Sequence, residues 1–248
     1  MADVTRTTLK LSIRSMKIII RNDIERLRGK SLSYTSIGDS HCACTYYAGY
    51  SKVVHLGPIT MHRIGRDSDL VGLIVKNILQ LDYGTSVPKF IVDKLSRLLC
   101  SQNVVLFFGE IDCRAHIGRH INPDCPYTAI CERLVTSYLQ SVMAASLSHP
   151  NVNFMTTTVV PPTLFRGDPQ MPTVGSLDER VEYTRYLNKC LIGMQEKNNI
   201  VNIDYTKNIP VDHQGVMLSE FHDGTVHLHS KYAVWIESEV KRALSCRL

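Results

Sequence analysis

Short runs rich in Val, Ile, Phe and Thr alternate along this 248-residue chain with longer stretches whose apolar residues recur every three or four positions. The short runs at 33–38, 52–56, 103–108, 152–160 and 200–204 read as strands, because they are too brief for ordinary helices. The stretches 68–81, 87–99, 127–147, 177–195 and 231–244 read as helices. In the last of them Tyr232, Ile236, Val240 and Leu244 recur every four residues. Strands separated by helices of this length imply a mostly parallel sheet of about five strands covered on both faces, a three-layer α/β/α sandwich. The unbroken run Val104-Val105-Leu106-Phe107-Phe108 fits a strand buried on both sides. In such sheets the chemistry gathers at the carboxyl ends of the strands.

The bulk properties agree with one large α/β domain. A hydrophobic content of 44% and a charged content of 21% exclude the disordered and fibrous classes. No apolar run approaches the ~18 residues of a membrane-spanning helix. Residues 1–30 carry eight basic and three acidic side chains, so they hold the whole net charge of +5. They read as a basic amino-terminal arm ahead of a single domain over 31–248. A solvated helix face is the plainer interpretation of the arm, and contact with a protein or nucleic acid is the other. The eight cysteines are scattered, with no Cys-x-x-Cys pair, and there is no Asn-x-Ser/Thr sequon. Together with the short, charge-flanked apolar stretch 18–20, which does not make a signal peptide, this points to a reducing, cytoplasmic setting.

Three strand ends and one late segment carry unusual chemistry. The first strand closes on Gly38-Asp39-Ser40-His41, which places a serine at a strand-to-helix turn. There its hydroxyl can meet a base and the turn's N–H groups can face an oxyanion. This is not the Gly-x-Ser-x-Gly elbow, since Cys42 stands where the second glycine would be. The second strand closes on His55-Leu56-Gly57-Pro58, a turn glycine that keeps its own N–H. The third closes on Gly109-Glu110-Ile111-Asp112-Cys113-Arg114, and Glu110, Asp112 and Arg114 suggest an ion-pair network that shapes the loop or touches substrate. Late in the chain, His222-Asp223-Gly224-Thr225-Val226-His227 precedes the last helix.

Taken together these segments resemble the blocks of the SGNH/GDSL hydrolases, over roughly residues 33–245. The resemblance implies a flavodoxin-like α/β/α fold, with Ser40 as nucleophile, His227 as base and Asp223 as its orienter. It implies an oxyanion hole from the N–H groups of Ser40 and Gly57, with Asp39 and His41 shaping the turn. Two departures stand out. Ile111 occupies the place of the family's oxyanion-binding asparagine, for which Arg114 is the candidate substitute. The acid-to-base spacing is one residue longer than Asp-x-x-His, and Gly224 could absorb the extra residue. Ester hydrolysis or acyl transfer on a small molecule or an acetylated glycan follows from the resemblance, with no metal or cofactor.

Two other classes compete. A protein that kept the fold and lost the activity accords with Ile111 and the lengthened spacing. A metal site could use His116 and His120, four apart on one helix face, with Asp112 or the His222, His227 and His229 group. No His-Glu-x-x-His pattern accompanies them, and phosphate-binding glycine loops are absent from the sequence.

Overall fold

In the computed structural model of the protein, residues 34–47, 51–55, 60–66, 103–165, 167–168, 171–198 and 200–245 are described. The main sheet contains β1 (Tyr34–Gly38), β2 (Ser51–His55), β3 (Asn103–Phe107), β4 (Asn153–Thr157) and β7 (Val201–Ile203). A small antiparallel ribbon pairs β5 (Gly167–Asp168) with β6 (Met171–Pro172). The five main strands are all parallel, in the order β2-β1-β3-β4-β7. The chain passes from β1 to β2 on one side and then builds β3, β4 and β7 on the other. The order therefore reverses at β1 and β3, and a crevice opens beyond their carboxyl ends.

Alternation along β3 explains the layering. Val104 and Leu106 face one core, with Met61, Ile64, Tyr138, Leu139 and Leu187. Val105 and Phe107 face the other, with Tyr34, Met155, Ala233, Ile236 and Val240. A strand that is apolar from Val104 to Phe107 thus serves two helical layers, as its sequence predicts. Each such fully buried side chain contributes about 1.5–3 kcal/mol of hydrophobic stabilisation.

The first layer consists of α2 (Met61–Arg66), α4 (Tyr127–Ser148) and α5 (Leu177–Asn198), and the second of α6 (Val234–Ser245) with α1 (Ala43–Tyr47). A reciprocal capping box opens α5: Glu179 N donates to Ser176 Oγ at 3.2 Å, and Ser176 N donates to Glu179 Oε2 at 2.7 Å. Between β3 and α4 the chain makes a π-helical turn, Asp112–His116, that runs into α3 (Ile117–His120).

Two expectations are trimmed. The strand expected over 152–160 ends at Thr157, because the side chain of Asn188 on α5 captures the backbone of Val159 from both sides. Val159 N donates to Asn188 Oδ1 at 2.7 Å, and Asn188 Nδ2 donates to Val159 O at 2.8 Å. The helix expected from 231 opens instead as a 3-10 turn, Ser230–Tyr232, before α6. The stretches 68–81 and 87–99, the arm over 1–30 and Gly57 lie outside the described residues. Among the described residues no helix is long and apolar enough to cross a membrane.

Candidate active site

The crevice at the β1/β3 strand ends is built from residues at opposite ends of the chain. Gly38 lets β1 close against β3, since a Cβ there would lie 2.2 Å from Phe107 O. Asp39 then caps the 3-10 turn Ser40–Cys42, accepting the His41 N–H at 2.9 Å. That turn presents Ser40 to the loop ahead of α6, where His227 Nε2 lies 2.7 Å from Ser40 Oγ. His227 Nδ1 lies 3.1 Å from Asp223 Oδ2 and 2.9 Å from Thr225 Oγ1.

These contacts assign the protons. Asp223 is acceptor-only when ionised, so His227 carries its proton on Nδ1 and leaves Nε2 free to accept the Ser40 hydroxyl. Thr225 donates both its N–H, at 3.0 Å, and its hydroxyl to Asp223 Oδ1. The lengthened spacing is taken up by a turn. Asp223 N donates to His227 O at 3.0 Å, His222 bridges to Leu228, and Gly224 sits at φ +91°. Only glycine adopts that left-handed conformation freely.

The electrostatics fit a neutral base beside a charged acid. Partial burial raises Asp223, but the Thr225 hydroxyl and N–H, together with His227, outweigh it and hold the carboxyl below its usual range. Burial lowers His227 below the ordinary histidine value, and His41 beside it lowers it further, against the pull of Asp223. The His227 side chain is 29% exposed and that of Asp223 43%, so this pair reaches the surface.

No protein-family model matches the chain, and no curated protein matches it. Solved structures do. An acylhydrolase assigned in Bacteroides fragilis superposes with a TM-score of 0.53 at 14% identity, covering 88% of this chain and 89% of that one. A GDSL-like lipase from Bacteroides thetaiotaomicron follows at 0.49 and 13%, covering 87% and 88%. A carbohydrate esterase of family 3 from Talaromyces cellulolyticus also stands at 0.49 and 13%, covering 86% and 96%. The chain has the SGNH/GDSL hydrolase fold.

Within this SGNH fold the third strand end departs most from the expected pattern. Glu110 and Arg114 do form the expected ion pair, with Arg114 Nε donating to Glu110 Oε1 at 2.7 Å. Asp112 does not join it. Its carboxylate is fully buried and accepts Met61 N at 2.7 Å and His62 N at 3.3 Å, capping α2 from outside that helix. Burial pushes Asp112 up to about 7, against the pull of those two N–H groups. Arg114 is 5% exposed and committed to Glu110, which takes it away from the role of a free oxyanion donor in place of Ile111.

The histidines proposed as metal ligands serve elsewhere. His116 and His120 gather with His62, with ring centroids 4.3 Å and 4.2 Å from His116. Burial first, then the two neighbouring histidines, Arg119 and Arg133, push His116 down to about 4. His222 Nδ1 accepts from Gly224 N, and His229 Nδ1 caps the turn before α6. Among the described residues no group of three His, Cys, Asp or Glu side chains is arranged to hold a metal ion.

Sequence reasoning missed Thr225 and Arg180. Thr225 is anchored in turn by Thr163 Oγ1, which donates to Thr225 O at 2.9 Å. Its signal is the hydroxyl two residues after Asp223, the spacing of an Asx turn. Arg180, on the first turn of α5, is buried and lines a small pocket with Glu110, Arg114 and Val226, the residue before His227. Nothing in its local sequence marks it.

Proposed function

We propose that the protein is a serine esterase or acyl hydrolase of SGNH type, acting on a small-molecule ester or an acetylated carbohydrate. The observation that carries this reading is the relay Ser40 Oγ, His227 Nε2, His227 Nδ1 and Asp223 Oδ2, with links of 2.7 and 3.1 Å. Ser40 Oγ attacks the ester carbonyl while His227 takes its proton, and Asp223 stabilises the imidazolium that results. The N–H groups of Ser40 and Gly57 receive the tetrahedral oxyanion. His227 then returns the proton to the leaving alkoxide. Water, or a sugar hydroxyl in an acyl transfer, releases the acyl group from Ser40 by the same steps in reverse.

The surface position of Asp223 and His227 suits an acyl group on a bulky or polymeric alcohol, which an enclosed cavity would exclude. The test is hydrolysis of p-nitrophenyl acetate and of a peracetylated sugar by wild type and by Ser40→Ala. Turnover by wild type alone supports the reading, and equal turnover by both removes Ser40 from it. One observation favours a second reading, an SGNH-fold binding protein without activity. Ile111 supplies no donor where the fold's enzymes carry an asparagine, and losing one such donor lowers rates by about a hundredfold to a thousandfold. That reading predicts no turnover on either ester.

A further inference from the structure

Behind the base lies a second imidazole in an unusual setting. His41 Nδ1 is 2.9 Å from Asp39 Oδ1, and His41 Nε2 is 3.2 Å from the carbonyl oxygen of Val226. A carboxylate and a carbonyl can only accept hydrogen bonds, so both ring nitrogens must donate. Only the imidazolium does that. His41 is 7% exposed and Asp39 1%, so the bond between them is shielded from water, and the bond to Val226 O is part-buried. Val226 immediately precedes His227 in the chain, and the two imidazole rings lie 4.8 Å apart at 53°.

We infer that His41 is a positioning residue for His227, a protonated imidazole clamped between Asp39 and Val226 O that ties the base-bearing loop to the nucleophile turn and disfavours a second positive charge on His227. This deepens the triad reading above and rests on it. The charged groups facing the pair are Asp39 on the same turn, Glu110 from the end of β3 and Asp223 across the loop. Cys42, Cys44 and Tyr205, which also surround Asp39, are pushed up by burial and stay uncharged. Burial opposes the charge on His41, but the Asp39 carboxylate, with smaller help from Glu110 and Val226, raises it to about 9. A cation this close keeps His227 unprotonated at mildly acidic pH, where an ordinary histidine base is already titrating.

The test follows the imidazole nitrogens of both residues by proton–nitrogen NMR across pH 4–10, in wild type and in His41→Gln. The rate of fluorophosphonate labelling is measured over the same range. In wild type His41 keeps both ring protons at pH 8. In His41→Gln the midpoint of His227 moves up by about one unit, and the midpoint of labelling moves with it. A neutral His41 at pH 8, or an unmoved His227 midpoint with merely slower labelling, overturns the inference and makes His41 a packing residue. Wild type that titrates as stated yet takes no label sinks the nucleophile reading while supporting the coupling of the two rings. The wild-type titration needs no variant, so a His41→Gln chain that fails to fold leaves the test standing.

Discussion

His227 and Ser40, 187 positions apart in sequence, meet with Nε2 2.7 Å from Oγ. Parallel strand order is what makes the meeting possible. β1 delivers Ser40 to the central carboxyl edge of the sheet, and the loop ahead of α6 returns the chain to the same edge.

The three members of the relay should not be equal. Ser40→Ala and His227→Ala are expected to lower kcat/KM for an activated ester by about a thousandfold or more. Asp223→Ala should cost less, on the order of tenfold to a hundredfold. Its carboxylate is 43% exposed and Thr225 also holds His227 Nδ1, so tautomer control is shared. Steady-state kinetics on the three variants check the order, and an Asp223 variant as inactive as the serine variant contradicts it.

Two glycines separate backbone strain from crowding. Gly224 at φ +91° has no atom within 4 Å of a built Cβ, so Gly224→Ala should destabilise by about 1–2 kcal/mol through backbone strain alone. Gly109, at φ +117°, would bring a Cβ to 2.6 Å from Val159 Cγ2. Gly109→Ala should therefore destabilise by about 2–4 kcal/mol. Urea unfolding of both variants gives the comparison.

Asp112 makes part of the stability depend on pH. Its folded value is raised to about 7 from an ordinary 3.8, chiefly by burial. Between those values the unfolded chain has released the proton and the folded chain has kept it. Stability from this group is thus complete below about pH 4 and is lost as pH rises through 7. Asp112→Asn removes the titration while keeping an acceptor for Met61 N. Unfolding midpoints of wild type relative to Asp112→Asn should fall from pH 4.5 to pH 7.5; a constant difference refutes the assignment.

Ile111→Asn offers a gain-of-function test. If the third strand end lacks a side-chain donor, adding one should raise kcat by about tenfold to a hundredfold with little change in KM. No gain would mean that the backbone donors already meet the need.

The sandwich was legible in sequence because period and run length carry it: the β3 run reads correctly as a strand buried on both faces, and Ile236, Val240 and Leu244 as a helix stripe, while Tyr232 falls in the 3-10 turn ahead of it. The end of β4 was not, because it is set by a side chain on another element, Asn188. At the site, its place at a strand end singled out Ser40, whereas His227 and Asp223, in the segment ahead of the last helix, were singled out by their likeness to the last block of the SGNH/GDSL hydrolases. What Asp112 does was hidden, since the α2 N–H groups it accepts lie about fifty residues away in the chain. The same holds for His41, whose second partner is the carbonyl of Val226, a backbone atom that no residue type announces.

The most direct test of the account is labelling of wild type and Ser40→Ala with a fluorophosphonate probe, read by intact mass. Such a probe needs an activated serine and hardly any substrate specificity. A single adduct on wild type and none on Ser40→Ala is the predicted result. An adduct on both, or on neither from well-folded protein, would contradict Ser40 as the nucleophile.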